Sequence, residues 1–381
     1  MKTRRNIHHL CYALGLTALG LTITAGTAPA QVPPNIEADL RKIGQIVDPP
    51  CTAKLYRPLM PANDVNSTAT PLYPGITVAR DVSFGPDPKD VVDIFSADKG
   101  RSNRPVLMYI PGGAGNKIEQ QDREANAFYD NIMRWATQNG MVGVNMQRHP
   151  GPDWDGGGKD VSLMIQWVEA NIAKYKGNPD RMFIWAQSAG NGPLGIYIGR
   201  PELWGPKGVG VKGAIFMSGQ FNILPVVPAA PAGGRGGGDI LAGAGSTCGL
   251  PAGAAFSNAG AIAGPSRADA PPARGGRGGG GGFGRGPQVD AATQLARSSL
   301  PALKTSAVKI MLATAELDPG INGSNSAFNQ ALHDELCKAG PDHCPTMLFE
   351  KGESHMSEVF SIDTPDKVVS GPVLKFIKSI K

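Results

Sequence analysis

One stretch restricts this chain more than any other: Met182-Phe183-Ile184-Trp185-Ala186-Gln187-Ser188-Ala189-Gly190-Asn191-Gly192. Its apolar half, Met182 to Trp185, reads as a short buried strand. Small residues then crowd around a single serine, and Pro193 to Tyr197 follows as a helix. That is the strand–serine–helix order of a nucleophile elbow, written Ala-x-Ser-x-Gly instead of the usual Gly-x-Ser-x-Gly. The turn is too tight for bulk two residues before or after the serine, and Ala186 and Gly190 meet that demand.

An elbow needs a sheet to stand on, and the flanking sequence supplies one. Gly75 to Ser83 alternates as a strand does. Val91 to Phe95 follows after an Asp87-Pro88 turn, which predicts a hairpin. Val106 to Ile110 is wholly apolar and runs into Pro111-Gly112-Gly113-Ala114-Gly115. A helix is expected over Asp122–Asn139, a strand over Met141–Met146, and a helix capped by Asp160 and ending near Tyr175. Gly177-Asn178-Pro179-Asp180 then reads as the turn into the elbow strand. Later strands are expected at Val211–Met217, Ala307–Thr314 and Thr346–Phe349. Helices are expected at Asn325–Lys338 and Val368–Ile380. Strands alternating with helices imply an α/β fold, a mostly parallel sheet covered on both faces.

Three regions lie outside this pattern. Residues 1–30 begin with Lys2, Arg4 and Arg5, continue through an apolar run from Leu10 to Ile23, and end on Ala28-Pro29-Ala30, the layout of a signal peptide. Thr3-Arg4-Arg5 hints at twin-arginine export, though an ordinary basic leader reads the same way. Export to the periplasm or medium is therefore expected, without a membrane span. Residues 31–74 read as an N-terminal arm with one helix at Ile36–Ile46, and residues 75–381 as the catalytic domain. Within that domain, residues 226–288 are Gly-, Ala- and Arg-rich and cannot bury a core, so they read as an inserted, disordered segment near the site.

Export also bears on the cysteines. Of the 5 in the chain, Cys11 lies in the leader. The remaining Cys51, Cys248, Cys337 and Cys344 suggest two bridges, Cys337–Cys344 and then Cys51–Cys248. The net charge of +5 includes three cations of the leader, so the rest of the chain is nearly balanced. That excludes a strong polyanion partner and argues against reading the Arg-Gly-Gly segments as a nucleic-acid tail.

A serine that attacks a carbonyl needs a base, an acid to orient the base, and donors for the oxyanion. On an elbow the acid follows the serine and the histidine comes last. Asp318 leads, because Pro319-Gly320 marks a loop at a strand's end; Glu316 is the fallback. Beyond Asp318, His333 falls inside a helix and His343 beside a turn, which leaves His355 as the base. Backbone N–H groups of Gly113, Ala114 and Ala189 are the oxyanion donors. A phosphate loop is discarded, since the Gly-rich turn lacks a Gly-x-x-x-x-Gly-Lys-Ser/Thr continuation. Arg148 and Trp154 are candidates to line or support the pocket, and Trp185 is better placed for packing.

Taken together, Val106–Gly115, Trp154–Ile172, Asn178–Gly190, Ala313–Pro319 and Gly352–Phe360 resemble the bacterial carboxylesterases of the α/β-hydrolase superfamily, near the hormone-sensitive-lipase and acetyl-esterase branch. The resemblance spans most of Gly75 to Lys381. It implies a serine carboxylesterase with Ser188, Asp318 and His355 as nucleophile, acid and base, acting on a small-molecule ester with no cofactor or metal. A peptidase on the same fold and a non-catalytic binder are the alternatives; oligomeric state is open. Two departures stand out. The family's His-Gly-Gly-Gly reads Pro111-Gly112-Gly113-Ala114, which removes the histidine's hydrogen bond to the turn, and the elbow's first glycine is Ala186.

Overall fold

The computed structural model describes residues 31–60, 73–113, 128–148, 153–219, 221, 290–320 and 324–381. The leader (1–30), the whole Gly-rich segment 226–288 and Ala114 lie outside these residues. The described strands are β1 (Ile76–Ser83), β2 (Val91–Ala97), β3 (Arg104–Ile110), β4 (Val142–Met146), β5 (Gly177–Gln187), β6 (Gly213–Met217), β7 (Lys309–Leu317) and β8 (Thr346–Ser354). The helices are α1 (Pro34–Ile43), α2 (Pro49–Tyr56), α3 (Asp130–Gln138), α4 (Gly156–Asn171), α5 (Asn191–Ile198), α6 (Ala291–Ala296), α7 (Leu300–Leu303), α8 (Ser324–Cys337), α9 (Ser357–Phe360) and α10 (Ser370–Ser379).

The strands form one sheet in the order β1-β2-β4-β3-β5-β6-β7-β8. Pairings β1–β2 and β2–β4 are antiparallel, and every pairing from β4–β3 onward is parallel. The crossovers between parallel strands carry helices to both faces, and the apolar alternation divides accordingly. Leu107, Tyr109, Phe183, Trp185, Ile215 and Met217 face a core shared with α1, α2, α3 and α10. Their neighbours Val106, Met108, Ile110, Met182, Ile184 and Phe216 face a second core with α4, α5 and α8. Central strands buried on both faces read as continuous apolar runs. Each large side chain so buried contributes roughly 1.5–3 kcal/mol.

Several boundaries differ from expectation. Helix α4 begins at Gly156, so Asp160 lies inside it and is not its cap. The glycines that would argue against a helix there let it sit close on α5. A Cβ on Gly157 would come within 2.8 Å of Pro193 Cγ, and one on Gly158 would strike Ile196. Strand β5 starts at Gly177 instead of Met182, so the expected Asn178-Pro179-Asp180 turn falls within a strand. The register explains this: Arg104 pairs with Gly177 but Val106 with Met182, so the turn residues form a bulge. Of the helix expected over Asp122–Asn139, the described part is α3. The arm contains α2 as well as α1, with the Asp48 side chain accepting from Cys51 N at its start.

The Cys337–Cys344 disulfide is formed. Cys51 is also disulfide-bonded; Cys248, the partner expected for it, lies outside the described residues. Among the described residues no helix is long and apolar enough to cross a membrane.

Candidate active site

Three strands end at one place. Ser188 follows β5, Asp318 follows β7 and His355 follows β8, all at the carboxyl ends of strands that run parallel in the sheet. Strands β7 and β8 both run further than the apolar pattern suggested, to Leu317 and Ser354. The acid and the histidine are therefore the first residues off their strands.

Ser188 has φ +54°, left-handed backbone that a non-glycine residue adopts only when its surroundings hold it. Those surroundings are the end of β3 and the start of α5. Gly190 packs so closely that a Cβ there would lie 2.6 Å from the Ile110 carbonyl oxygen and 2.9 Å from that of Pro111. Asn191 completes the turn: its amide donates to the Met217 carbonyl at 2.9 Å and its oxygen accepts from Met217 N at 3.3 Å.

His355 Nε2 is 2.8 Å from Ser188 Oγ, and Nδ1 is 2.5 Å from Asp318 Oδ2. A carboxylate at Nδ1 keeps the proton there and leaves Nε2 to accept from the serine hydroxyl. The second oxygen of Asp318 accepts from Gly320 N at 2.6 Å and from Asn325 Nδ2 at 3.0 Å, so both oxygens are fixed. All three side chains are buried. Burial disfavours the His355 imidazolium; the charge and hydrogen bond of Asp318, with the charge of Glu358, outweigh it and raise the pKa above the ordinary histidine value.

Glu316, the fallback acid, points elsewhere. It pairs with Arg41 of α1 at 3.2 Å and accepts from Gly352 N at 2.7 Å. His333 is bonded to its neighbour Asp334, and His343 stands in a short turn before Cys344. Trp185 packs at the centre of one core, against Tyr109 and Trp135. Trp154 is flanked by the guanidinium groups of Arg200 at 5.2 Å and Arg297 at 4.6 Å.

Of the oxyanion donors expected from sequence, Gly113 and Ala189 are described. Ala189 directly follows the serine. Gly113 lies beyond β3, with the glycine before it against the elbow: a Cβ on Gly112 would come within 2.8 Å of the Ser188 Cβ. The supporting hydrogen bond that Pro111 cannot make has a substitute. Arg148 Nε donates to the Pro111 carbonyl at 3.0 Å, and Nη2 to the Gly113 carbonyl at 2.5 Å.

A further carboxyl group lies behind the histidine. Glu358 accepts from Ser218 Oγ at 2.6 Å and from Gln187 Nε2 at 2.9 Å, and the same Gln187 amide donates to the His355 carbonyl at 2.9 Å. Burial, opposed by the His355 charge and aided by that of Asp318, raises Glu358 to about 7. Glu350 and Glu353 are buried nearby and are also held well above the ordinary carboxyl range, by burial first and by neighbouring acids second. Sequence reading missed this group. The available signal was the spacing His355-x-x-Glu358, which puts both residues on one turn beside the elbow's Gln187.

Residues 92–199 match the family model BD-FAE. Esterase LipQ of Mycobacterium tuberculosis is 31% identical over 115 residues, which is 29% of this chain and 26% of that protein. The chlorogenic acid esterase of Aspergillus niger is 34% identical over 110 residues, 26% of this chain and 20% of its own. The match thus spans about a quarter or less of the length of these curated relatives. Among solved structures, a hyperthermophilic esterase from the archaeon Pyrobaculum calidifontis superposes with a TM-score of 0.53 at 14% identity, covering 93% of this chain and 98% of that one. The protein is thus an α/β-hydrolase-fold protein, and the part that builds its Gly-rich turn and serine elbow is the part similar to BD-FAE.

Proposed function

We propose that the protein is an exported serine ester hydrolase that cleaves small carboxylic esters through an acyl-enzyme intermediate. The observation that carries this reading is the hydrogen-bonded line Ser188–His355–Asp318 at the ends of β5, β8 and β7. Esterase names among the relatives support it, and disulfide-bonded cysteines fit an oxidising compartment.

Ser188 Oγ attacks the ester carbonyl carbon while His355 Nε2 takes its proton. Asp318 holds the imidazolium formed and keeps its ring oriented. The carbonyl oxygen becomes an oxyanion, and the N–H groups of Gly113, Ala114 and Ala189 are its donors. The tetrahedral intermediate collapses, His355 returns the proton to the departing alkoxide, and the alcohol leaves. Water then attacks the acyl-serine with His355 again as base, releasing the acid and restoring Ser188.

A fluorophosphonate probe and a p-nitrophenyl ester panel of rising acyl length test this together. The intact protein should take up one probe per chain on Ser188 and hydrolyse the short esters, and Ser188→Ala should do neither. An intact protein that is inert to both would remove the hydrolase reading and leave a binding protein.

A further inference from the structure

Resting on that reading, we infer that Arg148 is a positioning residue for the oxyanion: its guanidinium clamps the Pro111–Gly113 turn in the donating orientation. Arg148 stands two residues beyond β4, and β4 lies beside β3 with Tyr109 opposite Asn145. The ends of the two strands are therefore adjacent, and a long side chain from one reaches the turn on the other.

Two carbonyls are held from one guanidinium. Nε takes that of Pro111 at 3.0 Å and Nη2 that of Gly113 at 2.5 Å. A peptide is planar, so a carbonyl and the N–H that follows it share one rigid plane. The peptide that carries the Gly113 N–H lies between the two carbonyls so held, and with the peptide on either side of it fixed its own direction is fixed as well. This matters most when an oxyanion is present, and little for a neutral ester.

The chemistry of the residue fits the task. Arg148 is 8% exposed. Burial pulls its pKa down from the ordinary arginine value, with the charges of Tyr129 and Asp160 opposing. Desolvating a cation beside two backbone carbonyls is costly and yields little that a neutral donor could not supply for packing alone. Arginine's fixed fork spans both carbonyls, whereas a lysine ammonium reaches one at a time. The need for an outside clamp also follows from the sequence. Pro111 has neither an N–H nor a donor side chain, so this turn cannot brace itself.

The test uses the full protein with Arg148→Met and Arg148→Lys. For p-nitrophenyl acetate, Arg148→Met should lower kcat about a hundredfold, the scale of losing one oxyanion donor, with KM nearly unchanged. Arg148→Lys should fall between Met and wild type. Affinity for a short alkyl trifluoromethyl ketone, whose serine adduct carries an oxyanion, should drop in step with kcat across the three proteins. The pH midpoint of kcat/KM should stay put, since His355 is not the group disturbed. The clamp is refuted if the loss falls in KM, or if kcat falls while trifluoromethyl ketone affinity holds. It is equally refuted if kcat is unchanged while melting temperature falls. Should Arg148→Met fail to fold, the Lys variant alone decides on the same criteria. A wild type with no esterase activity and no probe uptake overturns the hydrolase reading, and the clamp with it; an active wild type beside an equally active Arg148→Met overturns the clamp only.

Discussion

At the scale of single residues, the choice between two acids two positions apart can be argued from what each one touches. Asp318 meets the imidazole, whereas Glu316 meets Arg41 and a backbone N–H of Gly352. Asp318→Asn should cost on the order of a thousandfold in kcat, because an amide cannot stabilise the imidazolium and can hold the wrong tautomer; that is about 4 kcal/mol of barrier. Glu316→Gln should leave turnover near normal, since a partly exposed ion pair is worth little. Turnover of both variants on p-nitrophenyl acetate, each with its melting temperature, checks this; a dead Glu316→Gln beside a normal Asp318→Asn would reverse the assignment. The pH profile offers a second reading of the same contact. His355 must be neutral to accept the serine proton, so kcat/KM should rise with pH through a midpoint above the ordinary histidine value. In Asp318→Asn the opposing effect of burial is released, and the midpoint of the residual activity should move to lower pH.

At the scale of elements, the elbow is a packing problem shared by β3, β5 and α5. Gly190→Ala would push a methyl group toward the carbonyls of Ile110 and Pro111. Relief requires the end of β3 to move away from the serine. We expect a loss of roughly 1–3 kcal/mol in stability, typical of overpacking, with a larger relative loss in the rate of fluorophosphonate labelling; urea denaturation and a labelling time course measure the two, and a fully reactive variant would show that the turn has slack. What was legible in the sequence sorts by the same criterion. The strand–Ser188–helix stretch, Asp318 before Pro319-Gly320 and His355 after the last strand are local patterns, and their chain order did the rest. Arg148 on the Gly-rich turn and Glu358 behind His355 were not legible in their roles, because each depends on which strands lie side by side. The start of β5 was misread for another reason: Asn178-Pro179-Asp180 has turn chemistry, and a bulge uses the same residues as a turn.

At the scale of the whole molecule, the buried acids set how stability varies with pH. Glu350, Glu353 and Glu358 all titrate higher folded than unfolded, Glu358 at about 7. The folded state then binds more protons than the unfolded state from the ordinary carboxyl range upward, so their contribution is full on the acid side and is lost as pH rises through the folded values. The raised pKa of His355 acts in the same direction. Lowered acids such as Glu316 act oppositely and lose their contribution as pH falls. The melting temperature should therefore peak near about pH 5 and decline toward pH 8, and Glu350→Gln should flatten the decline. A melting temperature that climbs over this interval would contradict it, and calorimetry at several pH values decides. The N-terminal arm has a consequence of its own. Val32, Ile36 and Leu40 join the core beneath the histidine loop; Arg41 reaches Glu316, 275 positions on, and Tyr56 reaches Asp366, 310 positions on. The arm thus shares a core with strands from the middle of the chain, but these polar contacts are with residues near the end. Closing so long a loop is slow, so the Arg41–Glu316 and Tyr56–Asp366 contacts form only after every strand between them has been made.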